Sequence, residues 1–203
     1  MEAAIEVLPA PKGVSIPLQQ HLGAPCTMAV KARSEVEVGQ EIGTAGGFVS
    51  APIHASIAGK VGRESVATLP NARHVPSIPV TAADEQPFSG QALYDDVLGG
   101  EWPLGEIETH EPQAIAEAAL RCGLVGLGGA AFPTHVKLRR QEGKTINMLL
   151  INGAECEPYL TADYRVMIEA PMPIVAGALL AQRATGATEV RICVEVNKPK
   201  AIT

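Results

Sequence analysis

The hydrophobic and polar pattern changes character twice along this chain. From Ala10 to Val80 short β-type runs (Val14–Ile16, Met28–Val30, Val36–Val38, Ile53–Ile57 and Lys60–Val61) are broken every few residues by Gly or Pro. That spacing predicts a compact all-β unit of short strands. Two stretches within it, VKARSEVEVGQEIGTAGG and SAPIHASIAGKVGRE, each join a strand to a glycine turn. Residues 81–111 then carry Asp84, Glu85, Asp95, Asp96, Glu101, Glu106, Glu108 and Glu111 without a single Lys or Arg. With Pro87, Pro103 and Gly99-Gly100 as punctuation, this predicts an extended acidic linker with one helical turn near Ala92–Tyr94, anchored by Trp102. Beyond Pro112 the period lengthens. Ile115, Ala118, Ala119 and Cys122 share a helix face, and Gly123 ends it. The apolar run Thr145–Ile151 predicts a buried parallel strand. Asp163–Ala184 predicts two helical segments broken at Pro171 and Pro173, and Val190–Val194 a second strand. Strand, helix, strand is a βαβ unit. The expected division is 1–80, 81–111 and 112–203.

The stretch Gly123–Lys137, GLVGLGGAAFPTHVK, stands out chemically. Glycine lets a ligand approach the backbone with no Cβ in the way. Thr134 is placed to cap a short helix starting at His135. A glycine loop leading into a helix N-terminus suits phosphate, and Lys137 would add a full charge. The same glycines would also serve a tight connection that only permits close packing. Gly126-x-Gly128-x-x-Ala131 fits the dinucleotide fingerprint on the surface, but it follows a helix rather than a strand, against the requirement of that motif. A second loop, Asn152–Tyr159, places an amide and two carboxylates, Glu155 and Glu157, past the carboxyl end of the first predicted strand. In open α/β sheets that is the ligand position. Pro158 keeps Glu157 out of helical conformation.

Composition narrows the choices. At 203 residues the chain can bury one large or two small cores. A net charge of −6, with Lys and Arg scattered, argues against nucleic acid. No window of about twenty apolar residues predicts a membrane span, and Met1 opens no export signal. Cys26, Cys122, Cys156 and Cys193 are too dispersed for cluster or zinc ligation, so free buried thiols and no metal site are expected.

The pattern VxVGQxI followed by SAPIHASIAGKV resembles a lipoyl/biotinyl-type barrel-sandwich domain. Carriers of that kind show a modified lysine at the hairpin tip. Here the tip, Gly43–Ser50, reads GTAGGFVS and Lys60 comes later, so the resemblance implies a scaffold or docking module rather than a swinging arm. His54 is expected to be structural.

A broader resemblance covers nearly the whole chain. GLVGLGGAAFPTHVKL and LLINGAECEPYLTADYR, with IPLQQHLGAP, VGQEIG, GGFVSAPIHA and CVEVNKPKAI, are similar to RnfC, a subunit of the Rnf electron-transport complex, which is a ferredoxin–NAD oxidoreductase. The second domain also resembles the flavoprotein subunit of respiratory complex I. The implied fold class is α/β plus all-β: a barrel-sandwich hybrid domain followed by a partial Rossmann-like α/β FMN-binding domain. The implied cofactors are FMN and NAD(H). Gly126, Gly128 and Gly129 would shape the phosphate and ribityl cradle, Lys137 would pair with the flavin site, and Asn152 would hydrogen-bond the flavin. Glu155 and Glu157 would be the catalytic-site acids where flavin and nicotinamide stack. Phe132 would lie on the NADH side, and Glu195 near the nicotinamide. Ala154 stands where complex I has Asp, and Val196 where the Rnf pattern EDNKP has Asp. Further sheet, a ubiquitin-like domain and two 4Fe–4S clusters are expected only beyond Thr203, so the chain reads as a piece of a longer protein. Other Rnf subunits and a ferredoxin-like carrier are the implied partners, with a cytoplasmic placement, peripheral on the inner face of the cell membrane. Two alternatives stay open: a non-catalytic docking piece with an incomplete flavin site, and a cobalamin-reductase relative sharing the GLGGAAFPT-type loop.

Overall fold

A computed structural model describes residues 3–87, 90–100, 102–140, 142–157 and 159–202. It divides into two compact units that cross the order of the sequence. One gathers Pro9–Gly90 and Ala116–Lys137, the other Met1–Leu8, Gln91–Ile115 and Leu138–Thr203.

The first unit is a β-sandwich. Its strands are β1 (Gly13–Pro17), β2 (Thr27–Met28), β3 (Glu35–Val36), β4 (Glu41–Thr44), β5 (Ile53–His54), β6 (Gly59–Val61), β7 (Ser65–Thr68) and β8 (His74–Ala82). One sheet runs β1-β8-β6-β3 with β7 also on β8; the other runs β2-β4-β5. Every pairing is antiparallel. Between the sheets lie Ile16, Leu18, Val36, Ile42, Ile53, Ile57, Val61, Ile78 and Val80, so the β-branched alternation seen in the sequence becomes the core. The 3% aromatic content leaves Ile and Val to fill it. The central strand β8 has no counterpart among the expected runs, because Pro76 and Pro79 disguise it.

Helix α1 (Gly90–Val97) and a 3-10 turn (Leu104–Thr109) replace the extended linker expected over 81–111. Trp102 is half-buried there, its Nε1 buried without a partner among the described residues; Glu101 lies outside the described residues. Helix α2 (Pro112–Arg121) buries Ala116 and Ala119, with Ile115 and Ala118 partly covered and Cys122 exposed. It ends as expected at Gly123, at φ +66°. The Gly123 N–H donates to the Leu120 carbonyl and the Leu124 N–H to that of Ala119, a Schellman cap. A Cβ at Gly123 would stand 2.3 Å from the Pro52 carbonyl oxygen and 3.2 Å from the His54 ring, so a side chain has no room. Helix α3 (Thr134–Leu138) follows the glycine loop.

In the second unit β9 (Met148–Asn152) leads through α4 (Ala162–Glu169) and α5 (Pro171–Thr185) to β10 (Glu189–Cys193), which pairs with it in parallel. This is the expected βαβ connection. The break falls at Ala170, since Pro171 and Pro173 both fit inside the first turn of α5. β9 is not buried as expected: among the described residues it pairs with β10 alone, and Met148 and Leu150 are exposed. Among the described residues no single helix is long and apolar enough to cross a membrane.

Candidate functional site

The glycine loop is built on the sandwich unit. Val125 bridges Pro133, the Gly126 N–H donates to the Phe132 carbonyl at 2.9 Å, and the Thr134 N–H to that of Leu124 at 2.9 Å. Between these ties Leu127–Ala130 stands exposed, with Leu127 95% exposed. A Cβ at Gly126 would meet Lys137 Nζ at 3.1 Å, so the ammonium lies against the backbone of that residue. At Gly128 and Gly129 an added Cβ would meet nothing within 4 Å, and open space faces both. Ala131, although not glycine, sits at φ +50°. Positive φ in a residue with a Cβ is held only where neighbours over-determine it; the Leu22 N–H donates to its carbonyl at 3.3 Å. Phe132 is partly buried and Lys137 exposed. A bare glycine backbone with an ammonium at one side and open space beside it suits an anionic group such as a phosphate.

The carboxyl ends of β9 and β10 carry the remaining expected residues. Asn152 Oδ1 accepts the Ala154 N–H at 3.1 Å, closing an Asx turn. The Gly153 N–H donates to the Cys193 carbonyl at 2.8 Å, and a Cβ there would meet Met167 Sδ at 3.0 Å. Glu155 is committed on both oxygens. Oε1 accepts the Asp163 N–H at 2.9 Å, an orphan donor of the first turn of α4 that Thr161 leaves uncapped. Oε2 pairs with Lys198 Nζ at 3.1 Å, the two side chains 4% and 8% exposed. Lys198 Nζ also lies 4.8 Å from the centre of the Tyr164 ring. Glu157 is exposed and accepts the Cys156 S–H at 3.0 Å. That hydrogen bond and the Glu157 charge hold the Cys156 thiol above the ordinary cysteine value. Pro158 lies outside the described residues. Tyr159 beyond it is at φ +69° and 98% exposed. Glu195 is partly buried, its carbonyl accepting the Lys198 N–H at 3.0 Å, and Val196 is 93% exposed.

Gly126, Gly128, Gly129, Phe132 and Lys137 thus come together in one unit, and Asn152, Glu155, Glu157 and Glu195 in the other. Sequence reasoning missed Lys198, Tyr164 and His135; a buried Lys in a loop has no local signal. The four cysteines are free, but only Cys26 is buried, a correction to the expectation of buried thiols: Cys122, Cys156 and Cys193 lie at a helix end, a loop and an edge strand. Among the described residues no three His, Cys, Asp or Glu gather to hold a metal.

The RnfC barrel sandwich hybrid domain model matches residues 1–86, and the Nuo51 FMN-binding domain model residues 120–203. The chain is 40% identical to the C subunit of the Na(+)-translocating ferredoxin:NAD(+) oxidoreductase complex of Acetobacterium woodii, over 95% of this chain and 41% of that protein. It is 38% identical to the C subunit of the proton-translocating ferredoxin:NAD(+) oxidoreductase complex of Clostridium ljungdahlii, over 98% and 41%. It is 39% identical to the C subunit of the ion-translocating oxidoreductase complex of Rhodobacter capsulatus, over 99% and 37%. The chain therefore spans about two fifths of the length of these relatives. Both domain models and these relatives match this chain to the N-terminal portion of RnfC subunits.

Proposed function

We propose that this chain is the flavin-bearing portion of an electron-transfer subunit in an ion-translocating ferredoxin:NAD oxidoreductase complex. The observation that carries the reading is Lys137 Nζ lying against Gly126, beside the open backbone of Gly128 and Gly129. FMN held here would supply hydride exchange with NAD(H) and one-electron transfer onward. The chain's own residues bind and orient. Gly126, Gly128 and Gly129 admit the phosphate and ribityl chain, and Lys137 neutralises the phosphate. Asn152 hydrogen-bonds the flavin ring, and Phe132 shields the NADH side. Of the two acids, Glu157 is the exposed one and would border the nicotinamide with Glu195. Glu155, spent on Lys198 and on the first turn of α4, holds that loop in shape. The βαβ unit is the start of a Rossmann-like sheet. The 4Fe–4S clusters belong to other parts of the full-length subunit. The other members of the complex and a ferredoxin-like carrier are the partners, and they keep the protein at the inner face of the membrane.

The test is a paired titration with FMN and riboflavin by flavin fluorescence. Lys137→Ala removes a charge-assisted contact of roughly 1.5–3 kcal/mol. FMN should weaken about ten- to a hundredfold, and riboflavin, which lacks the phosphate, hardly at all. Equal losses for both ligands would remove Lys137 from the phosphate site. No flavin binding by the wild type in its full-length context would favour the docking reading.

A further inference from the structure

We infer that the hairpin tip of the barrel-sandwich domain is a positioning element of the flavin site, holding the glycine loop through Phe48 and His135. The tip joins β4 to β5, the place where carrier domains of this architecture display their modified lysine. Here it reads AGGFVSAP, and its backbone is spent on neighbours instead. His135, the second residue of α3 and 5% exposed, donates its Nε2–H to the Phe48 carbonyl at 3.2 Å. The Phe48 ring stands edge-on to the imidazole, 6.3 Å between centres at 83°. The other ring nitrogen, Nδ1, is buried without a hydrogen-bond partner among the described residues. A buried polar atom left unsatisfied is uncommon in a native fold; among the described residues the hydrogen bond of this ring is the one to the tip.

The tip is itself tied into the domain by hydrogen bonds. Ser50, fully buried, accepts the Gly46 N–H at 3.0 Å and donates to the Ala24 carbonyl at 2.8 Å. The Ala24 N–H donates to the Val49 carbonyl at 2.9 Å, and the Ala51 N–H to His21 Nε2 at 3.2 Å. The segment 21–24 so locked also reaches the loop, where the Leu22 N–H holds the Ala131 carbonyl at 3.3 Å. With Gly123 seated against Pro52, the loop is tied at its start, its strained residue and its exit helix. All three ties end on the tip or on the segment locked to it. The geometry is that of a brace that keeps Gly126–Gly129 open, and not of an arm that swings.

The ligand arm of the test rests on the flavin reading; the exchange arm does not. In the full-length protein, His135→Leu and His135→Asn remove the donor, the second with a polar side chain too short to reach Phe48. His135→Gln restores an amide donor at the position of Nε2. Hydrogen exchange at the Gly126 and Thr134 amides should quicken by about tenfold or more in the Leu and Asn variants, while Ile78 and Val80 keep their protection. FMN should weaken about tenfold in those two variants. The Gln variant should return both quantities to within about threefold of wild type. Unchanged exchange at both amides in the Asn variant would overturn the brace, whatever FMN does. So would a Gln variant as loose as Asn with the sandwich strands still protected. Faster exchange with rescue by Gln, in a protein that binds no FMN, would keep the brace and end the flavin reading.

Discussion

Glu155 shows how far a residue's surroundings can redirect its role. From sequence it is one of two acids in a loop past a strand end, equal in standing to Glu157. In the structure its side chain is buried, paired with Lys198 and bonded to the first turn of α4, while Glu157 remains exposed. Removing one partner of a buried pair leaves the other charge uncompensated, which costs about 3–5 kcal/mol. Glu155→Gln should therefore lower stability in urea unfolding by about that amount. Glu155→Gln with Lys198→Met should recover more than half of the loss, since no buried charge is then stranded. A single variant within about 1 kcal/mol of wild type would show that the pair is solvated in solution. Nothing near Glu155 in sequence announces this, because Lys198 stands in the loop after β10.

At the level of elements, the local signals were strong where the chain punctuates itself. Gly123 ending α2, the short helix after Pro133 and the β9–α4–α5–β10 connection all follow from caps, proline and period. The acidic stretch misled for a physical reason. Its charges suggest a solvated linker, but the Tyr94 hydroxyl of α1 donates to Glu169 Oε2 at 3.3 Å, where Arg165 and the Ile5 N–H also converge. Burial pushes the Glu169 carboxyl up, but these donors and the Arg165 charge outweigh it and hold the group below the ordinary carboxylate value. A depressed carboxyl contributes stability that is present above its unfolded pKa, about 4.3, and lost as pH falls through the folded one. Wild type should thus lose melting temperature more steeply than Glu169→Gln between about pH 5 and pH 3. Parallel acid limbs in a thermal scan would refute the assignment.

Across the whole molecule, the division into units does not follow the order of the chain. The glycine loop shares a unit with the sandwich that precedes it, and the strand-end acids lie in the other. Ile78→Ala empties a fully buried site in β8 and should cost about 2–5 kcal/mol. In hydrogen exchange the amides of Gly126 and Thr134 should loosen together with the sandwich; loosening with β9 and β10 instead would contradict the division. The sequence by itself determined the class of each half, since alternation, turn glycines and helix stops act within a few residues. It also determined the resemblance to RnfC, which the domain models bear out. Only the tertiary structure decided the remainder. β8 became the central strand despite Pro76 and Pro79, because β1 pairs along one side of it and β6 and β7 along the other. Glu155 became a strut because a lysine 43 residues away folds over it. The hairpin tip became a brace because His135, 87 residues beyond Phe48, comes within 3.2 Å of its carbonyl. Those outcomes depend on contacts between distant residues, which no local pattern encodes.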